Sequence, residues 1–191
     1  MINIRKNEPV VYVSFSAKIE RNTAESLMEV MVHCANQQVK KVYLLLNTTG
    51  GDVIEGFNLY NVLKGMPFEL VTHNTGNVNS MGIIVFLAGS KRYASEHSRF
   101  IFQGVGFDPQ QQGRLERKEL EEKLDTVVSG QKRMGSVITK ETKMTEGEVD
   151  ELFIKVQNKD AEFAVEKGFI QEIREVKIMD GCPVIQAVSK R

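Results

Sequence analysis

The chain has 191 residues, 41% of them apolar and 26% charged, which is the composition of a globular domain rather than a disordered segment. Lysine plus arginine (25) balances aspartate plus glutamate (25). A zero formal charge argues against a general nucleic-acid coat or a polybasic membrane binder, since both need a basic surplus. Cys34 and Cys182 are far apart and form no C-x-x-C pair, so neither a zinc site nor a redox motif is indicated. No apolar run reaches the ~18 residues of a membrane span, and the N-terminus shows no signal-peptide pattern. A cytoplasmic location is expected, without nucleic-acid or membrane partners, metal or cofactor.

In chain order, Pro9 to Phe15 is a β-rich run and reads as a strand. Asn22 and Glu25 resemble a capping box, and Leu27, Met31 and Cys34 follow at helical spacing, so residues 23 to 37 read as a helix. Val42 to Leu46 is continuously apolar, as expected of a strand covered on both faces. The turn Thr48-Thr49-Gly50-Gly51-Asp52 then opens a helix carrying Val53, Phe57, Tyr60 and Leu63, which Gly65 and Pro67 end. Glu69 to Thr72 reads as a strand, Asn74 to Asn79 as a polar turn, and Ser80 to Ala88 as a buried apolar helix.

Tyr93-Ala94 and Arg99 to Gln103 are short strand candidates. The β-α-β-α-β-α-β order predicts a parallel α/β sheet. A Gly/Gln-rich loop, 104 to 113, leads to a long charged helix from about Leu115 to Lys140. Its apolar positions Leu120, Leu124, Val127, Met134 and Ile138 give it one packing stripe. Thr145 with Glu148 starts a further helix, Asp160 caps the next, Gly168 suits its C-terminal end, and Glu172 to Val176 is a late strand. One domain over residues 1–191 is expected, with 177–191 as a tail.

Two glycine-containing turns carry the chemistry. TTGGD at 48–52 lets backbone N–H groups point into a cleft. GNVNSMG at 76–82 places Ser80 at a helix N-terminus, where free N–H groups favour developing negative charge. Ser80 is then either a nucleophile or, more simply, an N-cap. The turn is not the G-x-S-x-G elbow, and neither a phosphate loop nor G-x-G-x-x-G is present.

Together these segments resemble the Clp protease proteolytic subunit (ClpP) family. VYLLLNTTGGDVIEGFNLYNVL is similar to its strand, Ser-Pro-Gly-Gly and helix. THNTGNVNSMGIIVFLAGSKRYA is similar to its nucleophile segment. RFIFQGVGF falls at its histidine strand, helix 115–140 at its handle, and KDAEFAVEKGFIQEI at its closing helix and strand. The resemblance spans about residues 10 to 176. It implies a ClpP/crotonase-type α/β superhelix of β-β-α units with a projecting handle helix. It implies cleavage of peptide bonds in peptide or unfolded protein substrates, with Ser80 as nucleophile and the Gly51 and Met81 N–H groups as oxyanion hole. It further implies self-assembly into rings or stacked rings.

Two departures follow from the same alignment. Gln103 stands at the position of the triad histidine and Leu152 at that of the aspartate. A glutamine accepts no proton at neutral pH, so the expectation is a peptidase homologue with absent or severely reduced activity. His33 and His73 are expected to serve structure; His97 and Asp108 are the nearest candidates to replace the lost partners. The few residues ahead of the first strand argue against an ATPase unfoldase partner. The alternatives are a non-catalytic structural subunit of a ring, and, ranked lower, a crotonase-like acyl-CoA enzyme.

Overall fold

The computed structural model describes residues 4–106 and 116–188. Asp108, the loop around it and the first residue assigned to the handle, Leu115, lie outside the described residues. Strand β1 (Val10–Ser16), helix α1 (Arg21–Asn36), β2 (Lys41–Thr48), α2 (Val53–Lys64) and β3 (Glu69–Asn79) form the first half. Helix α3 (Met81–Phe86), β4 (Lys91–Ala94) and β5 (Arg99–Phe102) complete the region around Ser80. Then come α4 (Arg117–Glu141), α5 (Glu146–Lys155), β6 (Gln157–Lys159), α6 (Ala161–Glu166), β7 (Glu172–Ile173) and β8 (Val184–Gln186).

The sheet runs β6-β5-β3-β2-β1-β8, with β4 also pairing β3 and β7. The pairings are parallel except β5 with β6. Strand β3 forks. Val71 to Asn74 pair with β4, and Asn77 to Asn79 pair with β5. The expected turn at Asn74–Asn79 is therefore strand. Its amides are used inside the sheet: Asn74 Nδ2 donates to Arg99 O (2.9 Å), and Asn47 Oδ1 accepts from Asn77 N–H (3.0 Å). Paired in this way, asparagines lose the backbone competition that makes them turn formers.

Three further expectations are corrected. Strand β2 is not covered on both faces; its burial alternates, with Val42, Leu44, Leu46 and Thr48 inside. The other face carries a row of stacked rings, Tyr12–Tyr43 at 5.3 Å and Tyr43–Tyr93 at 6.4 Å, with the Arg174 guanidinium over Tyr93. Helix α1 begins at Arg21, where Thr23 Oγ1 accepts from Glu20 N–H (3.1 Å), so Asn22 lies inside the helix and not at its cap. Residues 177–188, the described part of the expected tail, are not a plain tail, because β8 returns to the β1 edge.

Elsewhere the Thr145–Glu148 box and the Gly168 stop act as read, and Asp52 supplies a cap beyond them. Asp52 caps α2 by accepting from Ile54 and Glu55 N–H (2.8 and 2.9 Å), Thr145 and Glu148 form the capping box of α5, and Gly168 takes φ 76°. The core fills the space between the sheet and its helices with Val11, Val13, Phe15, Leu44, Leu46, Phe86 and Phe100. In α4, Gly130, Met134 and Ile138 are buried, while Leu120, Leu124 and Val128 ahead of them are exposed. The first half of the handle thus projects with an uncovered apolar stripe. Among the described residues no helix is long and apolar enough to cross a membrane.

Candidate active site around Ser80

Strand β3 delivers Ser80 to the start of α3, with Ser80 N–H donating to Ile101 O of β5 (2.8 Å). Its backbone has φ 48° and ψ −119°. A non-glycine residue there carries strain of about 1–3 kcal/mol, which only an over-determined surrounding sustains. Although Ser80 occupies the N-cap position, its side chain makes no cap hydrogen bond, so the simple capping role does not hold. The hydroxyl instead reaches across to β5 and donates to the backbone carbonyl of Gln103 (3.2 Å).

The glycine turn after β2 is fitted against the Ser80 turn. A Cβ at Gly50, whose φ is 80°, would lie 2.6 Å from Asn79 O and 3.1 Å from both Met81 N and Ser80 Cβ. Glycine is required there by contact and by conformation. Gly51 bridges to Ile19, and a Cβ on it would lie 2.0 Å from Ile19 O. Thr48 is buried between the turns: its Oγ1 accepts from Gly50 N–H (3.1 Å), and its methyl abuts Gly82. Gly56 of α2 leaves the slot that receives the Met81 side chain. Two N–H groups stay uncommitted here: among the described residues neither Gly51 nor Met81 donates to a protein acceptor.

Gln103 directly follows β5 and is exposed. The chain beyond it is held on the handle, with Gly104 against Gln131 of α4 and Phe153 of α5, and Val105 against Gly130. Leu152, beside Phe153, is a core residue with 5% exposure.

The histidines lie on α1 (His33), on β3 (His73) and in the turn before β5 (His97), and the Ser80 hydroxyl bonds the Gln103 carbonyl instead. His97 is exposed in the turn before β5, at the end opposite Gln103; the four strand steps from Arg99 to Gln103 alone span about 13 Å. His73 is 1% exposed, its Nε2 lies 3.3 Å from Ser95 Oγ, and burial pushes its pKa down to about 4. His33 sits on α1, with Nε2 buried and without a hydrogen-bond partner. Burial likewise raises the Cys34 thiol to about 11, which leaves it an inert core residue.

A mainly parallel sheet thus brings a strained serine at the start of a buried helix against a two-glycine turn. The sequence profile of the Clp protease family matches residues 8–177, and the chain belongs to that family. The ATP-dependent Clp protease proteolytic subunit 1 of Leifsonia xyli subsp. xyli is 24% identical over 169 residues, 84% of this chain and 80% of its own. Proteolytic subunit 2 of Prochlorococcus marinus (strain NATL2A) is 34% identical over 99 residues, 50% of each chain. The solved structure of a mutant ClpP1 from Listeria monocytogenes superposes with a TM-score of 0.73 at 19% identity, covering 87% of this chain and 92% of that one. The fold is the ClpP fold.

Proposed function

We propose that this chain is a ClpP-type serine peptidase homologue that keeps the nucleophile and anion-stabilising amides but lacks the general base. Ser80 would attack a peptide carbonyl, and the Gly51 and Met81 N–H groups would hold the resulting oxyanion. In a complete triad a histidine takes the serine proton and an aspartate orients that histidine. The resemblance puts Gln103 and Leu152 of this chain at those positions. The observation that carries the reading is the Ser80 hydroxyl donating to the Gln103 carbonyl, an oxygen that cannot take up its proton. Peptide-bond hydrolysis is therefore absent or severely reduced, with only the modest gain of the oxyanion hole and binding left.

The test is intact mass after fluorophosphonate treatment of the chain, of Ser80→Ala and of Gln103→His. The expected result is no adduct on the chain as it stands and a single adduct on Gln103→His that Ser80→Ala removes. A Ser80-dependent adduct on the unaltered chain would show an activated serine and overturn the loss of the base. Absence of an adduct on Gln103→His would overturn the inherited site.

One observation favours a structural role in addition. Leu120, Leu124 and Val128 lie one helical turn apart on α4 and are 48%, 62% and 56% exposed. We infer that this stripe is covered by another copy in a ring or stacked-ring assembly. Sedimentation velocity then gives a species several times the chain mass, and Leu124→Glu reduces it. A monomer at micromolar concentration would refute the assembly.

A further inference from the structure

The segment 178–188 lies beyond the stretch that the family profile matches, yet it is tied into the sheet. It runs parallel to β1 in the register Tyr12–Val184, Val13–Ile185, Ser14–Gln186. Tyr12 N–H donates to Pro183 O and Ala187 N–H to Ser14 O, both at 2.9 Å. The Tyr12 hydroxyl pins the approach, donating to Lys177 O (3.1 Å) and accepting from Met179 N–H (3.4 Å). Ala187 is buried, and Ile185 and Val188 pack against the core.

Beneath this segment lies an unusual edge. β1 reads VVYVSFS, seven residues without charge, proline or glycine. It is rich in the β-branched and aromatic residues that favour strands. Its inner edge is fixed by seven paired residues of β2, so β1 is a rigid template whatever happens outside. An exposed strand of this kind is a site for pairing with another chain, and folded proteins guard such edges.

We propose that residues 178–188 are a strap that closes the β1 edge, and that this edge is an association surface for a second copy of the chain when the strap is absent. The partner follows from the chemistry. The bare N–H and C=O groups of β1 need an uncharged extended segment, and the β1 edge of another copy supplies one across a two-fold axis. The strap pairs only Tyr12, Val13 and Ser14, so the closure is short and a single position can undo it.

The experiment compares the full chain with a form lacking residues 178–191 and with Ala187→Pro, which removes the donor to Ser14 O. Sedimentation velocity is run over a range of concentrations, beside far-UV circular dichroism, with and without a synthetic peptide of residues 178–188. Both variants are expected to keep their secondary structure and to roughly double in apparent mass where the full chain does not, as pairing across a two-fold axis requires. The peptide returns them to the mass of the full chain. An unchanged mass in both variants overturns the proposal. So does extra association that the peptide fails to reverse, or loss of secondary structure in both, which would make the strap part of the fold and not a cover.

Discussion

A methyl group added at Gly56 would sit 2.2 Å from Met81 Cγ, 2.8 Å from Cε and 3.2 Å from Sδ. Gly56 is in the interior of α2, where alanine is intrinsically better than glycine by about 1 kcal/mol. Against that gain stands a fully buried methionine forced from its slot, an overpacking cost of about 1–3 kcal/mol. Gly56→Ala therefore lowers stability by about 1 kcal/mol, in the opposite sense to helix propensity. Met81→Ala alone empties the slot and costs about 2–5 kcal/mol. In the double variant the clash is gone and the new methyl fills part of the cavity. The pair should then be more stable than the sum of the single changes by about 1–3 kcal/mol. Urea unfolding of all four proteins at one concentration measures the cycle. Additivity within about 0.5 kcal/mol would refute the packing argument. Because Met81 follows Ser80, the same displacement should slow fluorophosphonate labelling of Ser80 in a Gln103→His background.

Two predictions concern buried ionisable side chains elsewhere. Arg92, 7% exposed, donates Nε to Phe169 O (2.6 Å), Nη1 to Gly89 O (3.2 Å) and Nη2 to Glu141 O and Gly168 O (2.9 and 3.1 Å). Arg92→Met strands these carbonyls and should cost about 3–5 kcal/mol, or roughly 10 °C in Tm, by calorimetry. A drop under about 3 °C would show that water replaces the guanidinium. The folded pKa of His73, about 4, lies below its unfolded value, so its neutral form supports the fold fully above about pH 6.5 and progressively less down to pH 4. Denaturant unfolding at pH 7 and pH 5 should differ by about 2 kcal/mol, and His73→Asn should abolish that difference. An equal difference in the variant would assign the acid sensitivity to other groups.

Most helices of this chain were legible because their signals are local. The Thr145–Glu148 pair, Asp160 and Gly168 act within one turn of themselves, and the structure uses each as a cap or stop. The failures share one cause, which is that the deciding partner is distant in sequence. Asn74 to Asn79 carry turn residues, but Asn47 and Arg99, 30 and 25 positions away, supply the bonds that keep them in a strand. β8 follows a glycine and a proline and holds only three residues, too few for a period-2 pattern. Its partner Tyr12 lies at the other end of the chain. The Tyr12–Tyr43–Tyr93 row likewise exists only once three strands are side by side.

The Ser80 region was legible in a different way. Local rules favoured a capping serine, since serine before an apolar helix is among the best N-caps. The structure shows a serine at φ 48° that does not cap, held by glycines 30 residues earlier. Capping would lower the energy of this turn, and the observed backbone raises it. The two turns are pressed together along that strained path, so closely that a Cβ built at Gly50 would lie 3.1 Å from Met81 N. A scaffold that served stability alone would have no need of the strain. Its retention beside an exposed Gln103 is what the proposed loss of the base, with nucleophile and amides kept, accounts for.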